Sequence, residues 1–215
     1  MTRRILALAV LAGTVAAQPA AAQAPAIAAD RACYVERSPL VIAGTGFTPG
    51  ARWSIQTEQV FDFGTANAAG AFLSTAETAP IIPAPTMRPQ TFTLVAAQNG
   101  SPVAQLPIQV VNHAVTVTPS SARPTSTVTW RTAGWPTGRN VYVHVRRKGR
   151  SVGTAKLGRT QGACGTLRTR KRFMPVRRGR VPFGRYTYQV DLRRSFRSTT
   201  TPQLRYGVSI FRRVR

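Results

Sequence analysis

The chain has 215 residues, enough for two small β domains or one large one. It carries 30 Lys and Arg against 6 Asp and Glu, a formal net charge of +24, with two His and two Cys. That composition offers no paired carboxylates for glycosidase work and no His/Cys cluster at metal-ligand spacing.

The charge is unevenly placed. Residues 112–215 hold 24 of the basic residues and a single acid, Asp191, a net +23. Gln23 to Val111 holds four Arg and five acids, a net −1. Such a split points to two units with different surfaces. Net charge speaks to solubility and attraction to polyanions, not to fold. Only Lys148, Lys156 and Lys171 are lysines, so the bias is to Arg, which a GC-rich genome also produces.

Met1 to Ala24 reads as a secretory signal peptide. Arg3-Arg4 precede an apolar run from Ile5 to Ala17, and small residues follow, with cleavage expected after Ala22. The run is too short to span a bilayer in the mature chain, and no later stretch is apolar enough. The product is expected to be secreted, extracellular or associated with the cell surface. Residues 25–32 read as a short tether.

Strands are expected from residue 33 onward. Leu40 to Ala43 is apolar and is closed by the loop Gly44-Thr45-Gly46-Phe47-Thr48-Pro49-Gly50, with Phe47 plugging the end of a core. Arg52 to Gln56 alternates, with Trp53 and Ile55 inward. Val60 to Phe63 and Ala71 to Ser74 are weaker strands. The proline-rich stretch Ala79 to Pro89 is excluded from a central strand. Thr91 to Ala97 and Val103 to Val111 flank Asn99-Gly100, a strong hairpin signal, with Phe92, Leu94 and Ala96 packing beside Leu106, Ile108 and Val110. About seven short strands at this spacing predict a β-sandwich over 33–111.

The second unit, 112–215, repeats the pattern. Val115 to Thr118 opens it, and Val128 and Trp130 point inward. Val141, Val143 and Val145 alternate with Tyr142, His144 and Arg146, which the period sends outward. Gly153 to Leu157, Thr166 to Phe173, Arg185 to Leu192 and Leu204 to Ile210 complete about seven strands around Trp130. No stretch shows a sustained helical period, so the class is all-β.

The element Gly44-Thr45-Gly46-Phe47-Thr48-Pro49-Gly50, with the later Asn67-Ala68-Ala69-Gly70-Ala71-Phe72, resembles the G-x-G-F-x-P-G opening of bacterial Ig-like domains. The second unit, with YVHVRRKGR, LGRTQGACG and a run of Arg, is similar to the C-terminal domain of secreted two-domain proteins of high-GC Gram-positive bacteria. The resemblance covers most of residues 31–215. It implies two tandem immunoglobulin-like β-sandwich domains and no activity, cofactor or catalytic residue.

Few residues could carry chemistry. A Ser-His-Asp arrangement would need His144 beside Asp191, which the sequence alone does not bring together. His113, at the junction between units, suits a structural role. A non-enzymatic protein with no cofactor and no metal is expected. Cys33 and Cys164 are a possible disulfide closing 131 residues, open at this stage because it needs the two units folded back side by side. Burial or intermolecular pairing are the alternatives.

The basic clusters are the candidate site. Arg168, Arg170 and Arg172 recur at every second position and would share one face of a strand. Arg146, Arg147, Lys148 and Arg150 form a second cluster. Further ones are Arg177, Arg178 and Arg180, then Arg193, Arg194 and Arg197, then Arg212, Arg213 and Arg215. Guanidinium forks suit phosphate and carboxylate. The expected partners are anionic cell-wall polymers or lipid head groups, with nucleic acid bound only non-specifically. The rival readings are an enzyme accessory or catalytic module with an unrecognised site, and a passive spacer.

Overall fold

The computed structural model describes residues 23–59, 61–83, 86–176 and 181–211. The signal-peptide stretch 1–22 and the clusters Arg177, Arg178, Arg180 and Arg212, Arg213, Arg215 lie outside the described residues. Every regular element among the described residues is a strand. No helix there is long and apolar enough to cross a membrane.

Eight strands build the first sandwich: β1 (Ala26–Ala29), β2 (Cys33–Val35), β3 (Ile42–Thr45), β4 (Arg52–Gln56), β5 (Phe61–Thr65), β6 (Phe72–Ser74), β7 (Gln90–Gln98) and β8 (Ser101–Val111). The sheet β1-β3-β6 faces the sheet β2-β8-β7-β4-β5 across one core. Period-2 alternation decides which residues enter it. Trp53 and Ile55 on β4 are buried while Arg52 and Gln56 are exposed. The Trp53 indole stacks on Phe72 with centroids 4.1 Å apart, and Phe47 meets the same ring edge-on at 5.0 Å. Gly70 explains part of the glycine-rich motif. Its φ is +68°, and a Cβ there would lie 2.0 Å from the Phe47 carbonyl oxygen. Asn99 and Gly100, with φ 49° and 85°, make the two-residue turn of the β7–β8 hairpin.

Seven strands build the second: β9 (Ala114–Thr118), β10 (Thr127–Ala133), β11 (Asn140–Arg147), β12 (Arg150–Arg159), β13 (Leu167–Arg172), β14 (Gly184–Asp191) and β15 (Gln203–Ile210). The sheet β13-β10-β9 covers the sheet β12-β11-β14-β15. Trp130 is fully buried at the centre, with Val141, Val143, Val145, Tyr188 and Val190 around it. The architecture is therefore two tandem immunoglobulin-like β-sandwiches.

The expectation of a tether over residues 25–32 fails. Ala26–Ala29 is not a tether but β1, paired antiparallel with β3. The chain then crosses to the other sheet, where β2 runs parallel to the end of β8, with Cys33 beside Gln109 and Val35 beside Val111. That pairing with the end of β8 sets Cys33 at the junction with the second sandwich, where it meets Cys164.

Candidate polyanion-binding surface

On β13 the side chains alternate. Leu167 packs on the core, while Arg168, Arg170 and Arg172 are exposed on the other face. The three arginines recur every two residues, roughly 6.7 Å apart along a strand. Pairing with β10 sets Arg172 opposite Thr127, Arg170 opposite Thr129 and Arg168 opposite Arg131. The alternate residues Val128, Trp130 and Thr132 point inward and are buried. Behind them on β9, Thr118 pairs with Thr129 and Thr116 with Arg131. The outward face from Thr127 to Arg131 is thus built of arginine and threonine alone. Like charges directly opposite across strands are destabilising, and Arg131 and Arg168 are such a pair.

The second cluster sits at the tip of the β11–β12 hairpin. Lys148 and Gly149, with φ 48° and 76°, form the two-residue turn between the paired Arg147 and Arg150. The Arg146 guanidinium lies 4.3 Å over the Phe196 ring and donates from Nη2 to the Gly149 carbonyl. The Arg147 guanidinium lies 5.6 Å over Tyr186 and donates from Nη2 to the Phe183 carbonyl at 2.9 Å. With Arg185 and Thr187 of β14 these residues line a cleft of about 410 Å³. Arg150 is exposed and stands outside it. The two predicted clusters lie on different sheets of the sandwich, so the structure does not bring them onto one face.

The expectation that His144 faces solvent fails. His144 and Asp191 are both fully buried, with His144 Nε2 3.2 Å from Asp191 Oδ1. The segment following β14 covers the outer face of this sheet. Asp191 Oδ1 accepts the Arg193 backbone N–H at 2.7 Å, and Asp191 Oδ2 accepts Gln189 Nε2 at 2.7 Å. Gln189 Nε2 also donates to the Arg197 carbonyl, and Phe196 meets the His144 ring edge-on at 5.9 Å. His144 Nε2 faces two acceptors, Asp191 Oδ1 and the Arg193 carbonyl at 3.0 Å, so it carries the proton. Nδ1 lies 3.0 Å from the Thr154 hydroxyl oxygen. Hydroxyl, imidazole and carboxylate are in line, the order of a nucleophile relay. Neither the hairpin cleft nor the junction cleft described next includes Thr154 in its lining. The sequence carried one sign of this burial: Asp191 is the only acid of its unit.

Burial of Asp191 has an electrostatic consequence. It removes the sole acidic side chain of residues 112–215 from the surface. Ion pairs to a carboxylate among the described residues are Arg31–Asp30 and His144–Asp191, and neither involves a cluster arginine.

At the junction Cys33 and Cys164 form a disulfide, with Cα atoms 5.2 Å apart. Val111 and Ala133 pack against it. His113 meets Trp135 edge-on at 4.4 Å, and burial pushes its pKa down. Gly165 lets the Cys164 loop close on Trp135; a Cβ there would lie 1.4 Å from the Trp135 carbonyl oxygen. Beside this contact is a cleft of about 550 Å³ whose walls include Tyr34, Val111 and Trp135. Burial, reinforced by the Asp30 carboxylate that accepts its hydroxyl, pushes the Tyr34 pKa up to about 12. Among the described residues no three His, Cys, Asp or Glu side chains converge on a point that could hold a metal ion.

No family model matches the chain, and no curated protein matches it. Solved structures similar to it include a tetra-tandem repeat in the extending region of a large adhesion protein, at 16% identity and TM-score 0.31 over 87% of this chain. The chain spans 49% of that structure's length. The human OSCAR ligand-binding domain is similar at 11% identity and TM-score 0.30, covering 86% of this chain and 97% of its own. Salmonella alpha-2-macroglobulin reacted with methylamine is similar at 10% identity and TM-score 0.37, covering 85% of this chain and 16% of its own.

Proposed function

We propose that this is a secreted, non-enzymatic binding protein whose second sandwich associates with anionic cell-envelope polymers, with lipid head groups and nucleic acid as weaker, less specific partners. The observation that carries the reading is the acid-free surface of residues 112–215, whose one carboxylate side chain is buried beneath its own loop. A solvated surface normally interleaves both signs. Here every exposed charged side chain of the unit repels its neighbours, and a polyanion relieves that repulsion. The Arg131, Arg168, Arg170 and Arg172 face supplies a flat docking surface with threonine hydroxyls between the charges. It holds no aromatic ring, so it offers nucleobases no stacking platform. The disulfide supports an oxidising compartment, as the expected signal peptide does.

The test is retention on cell-envelope extract at two salt concentrations. Retention should collapse between low and moderate salt. The variant R168Q/R170Q/R172Q should weaken it and flatten its salt dependence by about 2 to 3 in log–log slope. Unchanged retention in that variant rules out the β13 face. An enzymatic reading has one observation in its favour, the Thr154–His144–Asp191 line. Hydrolytic activity that disappears in H144F would establish it.

A further inference from the structure

We infer that the cleft at the β11–β12 hairpin is a discrete binding site for a phosphomonoester dianion, such as the end group of a phosphorylated polymer or glycan. The inference rests on the polyanion reading for its acid-free surroundings and adds to it a bounded pocket with one kind of ligand. Three features separate this cleft from the general cationic coat.

The first is convergence. Arg146, Arg147 and Lys148 come from the hairpin, and Arg185 comes from the neighbouring strand, all lining one space of about 410 Å³. Register gathers these residues at one end of the sheet, because Arg146 pairs with Thr187 on β14 and Arg147 with Arg150 across the turn.

The second is fixation. A surface arginine ordinarily swings away from like charge. Arg146 is held against Phe196 and the Gly149 carbonyl. Arg147 is held against Tyr186 and the Phe183 carbonyl. Both guanidinium groups are therefore set before any ligand arrives, which lowers the ordering cost of binding. The Lys148 backbone takes a left-handed turn conformation at φ 48° that a lysine seldom adopts, which sets where its side chain leaves the hairpin.

The third is charge matching. Four cations around one small space favour a ligand that concentrates charge. A phosphomonoester carries about −1.5 to −2 at pH 7 and three strong acceptor oxygens. A phosphodiester brings a single charge spread along a chain, which suits the open β13 face instead. Thr187 also lines the wall.

The experiment is calorimetric titration of the protein at constant ionic strength and pH 7.5, with inorganic phosphate as the monoester-like dianion and dimethyl phosphate as the diester. Phosphate should saturate at one site per chain and bind at least tenfold more tightly than dimethyl phosphate. Its affinity should fall at pH 5.5, because inorganic phosphate is then converted from dianion to monoanion while Arg and Lys do not titrate. The double variant K148G/R185Q should weaken phosphate at least tenfold. Both positions are exposed, and glycine relieves the turn at 148, so the fold is kept; an unchanged melting transition checks this. Binding that never saturates, that is equal for the two ligands, or that survives K148G/R185Q intact overturns the inference. Envelope retention read in parallel keeps the two proposals apart. Retention without saturable phosphate binding sinks the pocket and leaves the polymer reading standing. Saturable phosphate binding without retention does the reverse.

Discussion

His144 and Asp191 lie 3.2 Å apart with no solvent access to either side chain. An ion or dipole in that position must find all its partners inside the protein. Asp191 finds them in His144, Gln189 and the Arg193 backbone, and the last of these fastens the loop that covers the pair. The contact therefore does two things. It pins a loop bearing Arg193, Arg194 and Arg197 to the sheet, and it hides the one acidic side chain of the basic unit.

D191A should cost about 3–5 kcal/mol, the usual loss when one partner of a buried pair is deleted. Denaturant unfolding measures it. D191N should lose less, because an amide oxygen still accepts from Arg193. It cannot accept from Gln189, whose Nε2 would then face another NH2 group. Trypsin should cut D191A faster than the native chain at Arg193, Arg194 or Arg197. Equal cutting would mean the carboxylate does not hold the loop.

The pair Arg131 and Arg168 separates stability from binding. Replacing Arg168 by threonine removes a like-charge cross-strand contact and places a β-branched residue on a strand. R168T should raise stability by about 0.2–1 kcal/mol while weakening retention on envelope polymers. The two measurements must move in opposite directions. A variant that loses both stability and retention would show that Arg168 is structural.

Most of the framework was legible because alternation is a local signal. Trp53 and Ile55, or Val141, Val143 and Val145, sort to the interior by period alone. Asn99-Gly100 marks its hairpin because few other residues accept two positive φ angles. Ala26 to Ala29 was not legible. Three of its four residues are Ala, which carries little strand propensity, and pairing with β3 makes the segment a strand. His144 was misread for a different reason. The outer face of a half-buried strand looks the same in sequence whether water or a distant loop covers it. Loop 192–202 reaches His144 from almost 50 positions away, a relationship periodicity does not encode. The hairpin cleft was half visible. Arg146, Arg147 and Lys148 are adjacent in sequence, but Arg185 joins them only through the β11–β14 pairing.

Cys33–Cys164 closes a loop of 131 residues and couples the sandwiches at their junction. On the loop-entropy model its removal should cost about 5 kcal/mol. C33S/C164S should shift the denaturant midpoint accordingly, and reduction of the native protein should reproduce the shift. A variant with unchanged midpoint would show that the contacts of Val111, Ala133 and Trp135 hold the junction without it.

His113 makes stability at the junction depend on pH. Burial beside Trp135 disfavours the imidazolium and lowers the folded-state pKa below its ordinary value of 6.5. Between the two values the unfolded chain binds more protons than the folded one, so stability falls as pH falls. The contribution is complete above pH 6.5, declines as the pH drops below that point, and levels off once the folded-state pKa is passed. Unfolding free energies measured from pH 8 to pH 5 should show this slope in the native protein. In H113F, which keeps an aromatic ring against Trp135 but cannot be protonated, the slope should shrink by the part His113 supplies. An identical pH profile in the two proteins would mean that the His113 ring is as easily protonated in the fold as in the unfolded chain.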